Sequence, residues 1–249
     1  MRASILIDTA IQAQMVVDDD RIVIYDAARM PTPPAPWFTP EHWPQRSVLD
    51  RGRGAAFAMQ TELGEMVLRH YRRGGAVARV LKDCYVWTGA AQTRPICEFR
   101  LLAAALHCSL PVPRPMAAQV RRHGALYSGD LLMMRIADTQ TLSARLTGLA
   151  DWTTLDWQRI GAALGLAHAQ GFEHADLNAH NVLIDAHEAV WLIDWDRGRQ
   201  RAPGSWSEVV LARLARSLRK LYGARVDQND ARKGWQALLQ AHAQRVKDV

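Results

Sequence analysis

Cysteine is scarce in this 249-residue chain: three occur, Cys84, Cys97 and Cys108, and no two are spaced as CxxC. An odd number without metal-type spacing offers neither a disulfide framework nor a zinc site, and a reducing compartment is expected. Long apolar runs are missing as well. No stretch reaches the about 18 residues that a bilayer-crossing helix needs. The opening MRASILIDTAIQAQ has one basic residue and an apolar stretch broken by Asp8 and Gln12, unlike a secretory signal. The expected location is the cytoplasm, or a membrane surface reached from the cytoplasmic side. Internal repeats are absent. No RNP, zinc or OB-type signature accompanies the basic charge, so nucleic acid is not expected as a partner. Nothing calls for an obligate protein partner.

What is present is an ordinary globular composition, with 49% hydrophobic and 22% charged residues. That suffices for a sizeable core, as one large domain or two tightly joined lobes. The formal net charge of +6 favours anionic partners such as nucleotides or acidic lipid surfaces.

Residues 1–46 are hard to read beyond a strand at 21–25. The Pro-rich PTPPAP at 31–36 is expected to be an exposed loop, because proline lacks the backbone donor. Strand-like text runs from 47 to about 75, with a hairpin turn at Leu63-Gly64 and an end at Gly74-Gly75. A helix follows at 96–106. LPVPRP at 110–115 stops it, since each residue before a proline is pushed extended. A strand pair is expected at 117–121 and 125–133. The second half opens as helix, with Trp157, Ile160, Leu164 and Ala167 on one face, Asp156 as cap and Gly171 as stop. Two short strands, 182–184 and 190–193, make a tight hairpin. A helix at 205–222 places Leu211, Leu214, Leu218 and Leu221 on one face and Arg213, Arg216 and Lys220 on another. A last amphipathic helix spans 230–246. Strands come first and helices second, which argues for an α+β protein of two lobes. The expected division is 1–133, including the ill-defined first 46 residues, and 134–249.

The segment HADLNAHNVLIDAHEAVWLIDWDRGR at 174–199 carries the chemistry. It reads loop, strand, turn, strand, acidic loop, so the hairpin brings Asp176 and Asn181 to the same end as Asp194. Phosphoryl transfer needs such a kit. A magnesium ion takes oxygen ligands and keeps waters, so Asn181 and Asp194 suffice beside the phosphates. Asp176 would orient the attacking hydroxyl and accept its proton.

HADLNAHN resembles the protein-kinase catalytic loop H-R-D-L-x-x-x-N at His174, Asp176, Leu177 and Asn181. Alanine stands at 175 instead of arginine, which removes the usual partner of an activation-loop phosphate. Asp194 is similar in place to the DFG aspartate, with Trp195 for phenylalanine and Asp196 for glycine. The resemblance implies a bilobal protein-kinase-like fold that uses ATP and Mg2+, with Asp176 and His174 as catalytic residues. Upstream, Gly52 and Gly54 resemble the glycine-rich loop over the phosphates. Met66-Val67-Leu68-Arg69 resembles V-A-I-K with Arg69 in the lysine slot, unless the register slips to another basic residue. Glu98 takes the place of the glutamate that pairs with that lysine. The segment 131–136, with Met133, corresponds to the hinge that carries the adenine.

Longer stretches are similar to bacterial 3-deoxy-D-manno-octulosonic acid (Kdo) kinases of the lipopolysaccharide kinase family. They are VLRHYRRGG at 67–75, RPICEFRLLAAAL at 94–106, LPVPRPMAA at 110–118, HADLNAHNVLID and IDWDRGRQR. This resemblance implies phosphorylation of a hydroxyl, expectedly the 4-hydroxyl, of Kdo on a lipid A precursor. It implies a peripheral position at the cytoplasmic face of the inner membrane. Arg197, Arg199 and Arg201 are the expected holders of the acceptor's carboxylate or phosphate. A heptose kinase of the same superfamily and a kinase-shaped binding module remain as alternatives.

Overall fold

The protein is represented by a computed structural model that describes residues 10–50, 56–72 and 84–248. It divides into two compact units, one of residues 1–109 and 114–134, the other of residues 110–113 and 135–249. The first carries a large antiparallel sheet and one long helix; the second is mainly helical.

In the first unit the sheet runs β1 (Ala13–Asp18), β2 (Arg21–Asp26), β7 (Pro115–His123), β8 (Leu126–Met134), β5 (Gly64–His70), β4 (Ala56–Thr61) and β3 (Arg46–Asp50) in spatial order. The short β6 (Tyr85–Val86) pairs β8 off this path. Strands β4 and β5 form the hairpin expected at Leu63-Gly64. Thr61 Oγ1 donates to Gly64 O at 2.7 Å, and Gly64 takes φ 111°, a conformation that favours glycine. Helix α1 (Arg94–His107) lays Ile96, Phe99, Leu102 and Ala105 against β7 and β8. Each large apolar side chain buried here contributes about 1.5–3 kcal/mol.

The opposite face of the sheet corrects the reading of the first 46 residues. Ala35–Phe38 is a short 3-10 helix, and Met30, Trp37 and Phe38 are buried with Met59, Met66, Leu68 and Leu132. The Pro-rich stretch is therefore not a free loop. It steers two aromatic residues onto the sheet. Strand β1, unread in the sequence, pairs β2 along its length but is exposed throughout, which explains its weak apolar signal.

In the second unit β9 (Gln140–Thr141) leads into α2 (Leu142–Thr147), followed by α3 (Trp157–Ala169), β10 (Phe172–Glu173), β11 (Val182–Ile184), β12 (Val190–Leu192) and β13 (Arg199–Gln200). Helices α4 (Trp206–Tyr222) and α5 (Asn229–Lys247) complete it. Asp156 Oδ1 caps α3 by accepting from Arg159 N at 3.1 Å. Helices α3 and α5 approach backbone to backbone. A Cβ on Gly161 would sit 2.2 Å from Leu238 O, and one on Gly165 would sit 2.7 Å from His242 O. On α4, Leu211, Leu214 and Leu218 are buried as expected, but Leu221 is 42% exposed. Tyr222 takes the inward place instead, its OH donating to Ser143 O at 2.5 Å and its ring meeting Trp152 edge-on.

Candidate active site

The geometry of the second unit starts from the β11–β12 hairpin, in which Val182 faces Leu192. Asn181 precedes the first strand and Ile193-Asp194 follow the second, so pairing brings them together. Ile193 N donates to Asn181 O at 3.0 Å. Asp194 itself adopts φ 60°, a left-handed conformation that aspartate tolerates and that recurs at functional turns.

His174 ties the two loops. Its Nε2 donates to Ile193 O at 2.8 Å, and its Nδ1 accepts from Asp176 N at 3.2 Å. Burial lowers the pKa of this imidazole, so the ring is neutral. Both nitrogens are spent on the main chain. His174, expected from the sequence to be catalytic, instead has the geometry of a positioning residue. Trp195 lies beneath, fully buried, its ring 4.7 Å from that of His174 and its Nε1 donating to Leu192 O at 2.9 Å.

Residues 176–180 alternate in burial. Leu177 and Ala179 are fully buried, while Asp176 and His180 are exposed and Asn178 is half-buried. The loop's outer face thus carries Asp176, Asn178 and His180. Asn178 Nδ2 donates to Asp176 O at 3.0 Å, and Asn178 Oδ1 accepts from His180 N at 2.9 Å. Asn181 Nδ2 donates to the same Asp176 O at 2.8 Å.

Helix α4 braces this loop from below, which the sequence did not reveal. Arg213 Nη1 donates to Ala175 O at 2.5 Å, and Ser217 Oγ accepts from Ala179 N at 3.1 Å. The sequence groups this arginine with Arg216 and Lys220 on one helix face, whereas in the structure it is half-buried and those two are exposed. Its spacing of four from Ser217, on one side of a helix, is the only sequence sign of a shared task.

The donor set suits a hard cation. Asn181 commits its amide nitrogen to the main chain and keeps Oδ1 as an acceptor, and Asp194 supplies a carboxylate across the hairpin. Among the described residues no group of three or more His, Cys, Asp or Glu side chains could hold a metal alone. A magnesium ion completed by phosphate and water oxygens asks for no more than one carboxylate and one amide.

Of the three arginines expected to bind acceptor, two are engaged elsewhere. Arg199 Nε and Arg201 Nη1 donate to Glu173 Oε2 at 2.9 and 3.1 Å, beside the β10–β13 pair. Burial raises the pKa of Glu173, but these hydrogen bonds outweigh it and the net shift is downward. Arg197 is exposed with φ 61°, and it has no acidic partner among the described residues.

The first unit carries the expected cation pair. Arg69 Nη1 donates to Glu98 Oε1 and Oε2 at 3.0 and 3.1 Å, so of the registers left open the one with Arg69 is realised. The Glu98 side chain is 1% exposed. Tyr71 OH donates to Glu98 Oε2, which it shares with Arg69, and the Arg69 guanidinium lies 5.1 Å from the Tyr71 ring. On the same sheet face, two residues before Arg69, Val67 stands opposite Met133 in the β5–β8 pair and forms an apolar shelf. Gly52 and Gly54 lie outside the described residues, as do Arg73 and the Gly74-Gly75 pair.

The model of the family described as "Lipopolysaccharide kinase (Kdo/WaaP) family" matches residues 42–242. Among curated proteins, a 3-deoxy-D-manno-octulosonic acid kinase of Xanthomonas campestris pv. campestris (strain B100) is 42% identical over 225 residues, covering 88% of each chain. The protein of that name from Stenotrophomonas maltophilia (strain R551-3) is 41% identical over 223 residues, again 88% of each. That of Xylella fastidiosa (strain M23) is 40% identical over 206 residues, 82% of each.

Proposed function

Because the chain belongs to the lipopolysaccharide kinase (Kdo/WaaP) family, we propose that it transfers the γ-phosphoryl group of ATP to a hydroxyl of 3-deoxy-D-manno-octulosonic acid. The acceptor in this reading is the 4-hydroxyl of Kdo carried on a lipid A precursor. The observation that carries the chemistry is the hairpin that sets Asn181 against Ile193-Asp194 while His174 links Ile193 to Asp176.

Each group then has a task. The Asp176 carboxylate accepts the proton of the acceptor hydroxyl as that oxygen bonds to the γ-phosphorus and the bond to the β-phosphate oxygen breaks, releasing ADP. Asn181 and Asp194 would hold magnesium, which supplies charge neutralisation on the phosphates. Arg69, fixed by Glu98, contributes a positive charge to the phosphate groups. Val67 and Met133 offer the adenine an apolar surface. His174 acts through Asp176 and Asp194 by holding both loops. Arg197 remains available for an anionic acceptor, whereas Arg199 and Arg201 chiefly hold Glu173.

A lipid-borne acceptor suits a protein attached peripherally to the cytoplasmic face of the inner membrane. Arg216 and Lys220 on the exposed side of α4, with Val209 54% exposed, support that reading. No helix among the described residues is long and apolar enough to cross a membrane.

The test is transfer of label from γ-labelled ATP with magnesium to a Kdo-bearing lipid A precursor, using wild type and Asp176→Asn. Labelled lipid with wild type and a loss of about a thousandfold or more in the variant is expected. A folded, ATP-binding wild type that labels heptose acceptors and not Kdo overturns the assignment.

A further inference from the structure

We infer that His180 is an acceptor-binding residue whose Nε2–H recognises the carboxylate of the sugar acid; this rests on the Kdo reading above. His180 sits four residues after Asp176 and shares the outer face of the loop with it, since the intervening Leu177 and Ala179 are fully buried. Asn178, also on that face, is held by Asp176 O and His180 N. His180 Nε2 has no hydrogen-bond partner among the described residues.

The imidazole is held, not loose. Its Nδ1 lies 2.9 Å from Ser143 Oγ. Ser143 is 8% exposed and fixed on several sides. Its N donates to Ala179 O at 3.0 Å, and its carbonyl accepts from Tyr222 OH and from Thr147 Oγ1. Thr141 Oγ1 accepts from Ala144 N at 3.1 Å and lies 3.1 Å from Ser143 Oγ. In the tautomer that this recognition uses, Ser143 Oγ donates to His180 Nδ1 and Nε2 carries the ring hydrogen as a held donor. An N–H held in place loses little freedom on binding, which is how a single contact orients a substrate beside its base.

The experiment uses the full chain with two acceptors, a Kdo-bearing lipid A precursor and its Kdo methyl ester, and reads KM for acceptor and for ATP. Wild type should favour the free acid by tenfold or more. His180→Ala should raise the acceptor KM by tenfold or more, leave the ATP KM within twofold, and lose the preference for acid over ester. His180→Gln, whose amide nitrogen reaches the place of Nε2, should recover most of the loss, and His180→Asn, which mimics Nδ1, should not. Unchanged acceptor KM in His180→Ala, or equal behaviour of the Gln and Asn variants, overturns the inference while leaving the Kdo assignment standing. A wild type active on heptose acceptors and silent on Kdo overturns that assignment and carboxylate recognition with it.

Discussion

Asn181 spends its amide nitrogen on the main chain of the residue it serves, donating from Nδ2 to Asp176 O at 2.8 Å. The side chain is thereby oriented before any ligand arrives, with Oδ1 as its remaining acceptor. Asn181→Ala removes both the brace and the ligand oxygen. It should raise the magnesium concentration for half-maximal rate by tenfold or more, with thermal midpoint little changed. A magnesium titration of the initial rate measures this, and a chelator should abolish transfer by wild type.

The Arg69–Glu98 pair predicts an asymmetry. Glu98→Gln keeps the shape and the bond from Tyr71, so its main effect should be a several-fold rise in ATP KM. Arg69→Ala leaves a carboxylate that is 1% exposed without this partner. That loss should cost on the order of 3 kcal/mol of stability in addition to raising ATP KM. Denaturant unfolding of the two variants separates the effects.

Helix α4 should act on turnover and not on nucleotide affinity. Ser217→Ala removes one hydrogen bond to the loop and Arg213→Ala another, each worth about 1 kcal/mol. The expected result is a five- to tenfold fall in kcat for each, with ATP KM unchanged. Arg213→Lys, which keeps a donor, should restore part of the rate. Steady-state kinetics over both substrates checks this.

Acid should unfold the second unit through its histidines. Burial pushes His168 down to about 3 from 6.5, and it also lowers His174 and His242. The rings of His168 and His242 hydrogen-bond at 2.8 Å, Nδ1 to Nε2, which requires a neutral acceptor nitrogen. The unfolded chain takes up these protons near pH 6.5 and the folded chain does not. The stability is complete above pH 6.5 and is lost as pH falls from there toward 3. For His168 alone the slope is about 1.4 kcal/mol per pH unit. His168→Gln should reduce the acid slope by close to one proton, as read from urea midpoints between pH 7 and 5.

The sequence by itself determined that strands come first and helices second, the 182–192 hairpin, and the meeting of Asn181 with Ile193-Asp194 across it. These are local matters. Burial period, turn residues and short spacings are written along the chain, and a hairpin of about five linking residues leaves no choice about which loops meet. The Arg69–Glu98 pair was legible only through resemblance, because nothing local joins residues 29 apart. Tertiary structure alone decided four things. It turned the Pro-rich stretch into a cover for the sheet, since most of the apolar cluster that holds Trp37 and Phe38 lies on strands that come later in the chain. It gave His174 to the main chain, Arg199 and Arg201 to Glu173, and Arg213 to the catalytic loop. A charged or polar side chain reads as available in a sequence. Whether a carbonyl or a carboxylate already holds it depends on partners 19 to 38 residues away. No periodicity encodes those distances, and only the folded chain brings them within hydrogen-bond reach.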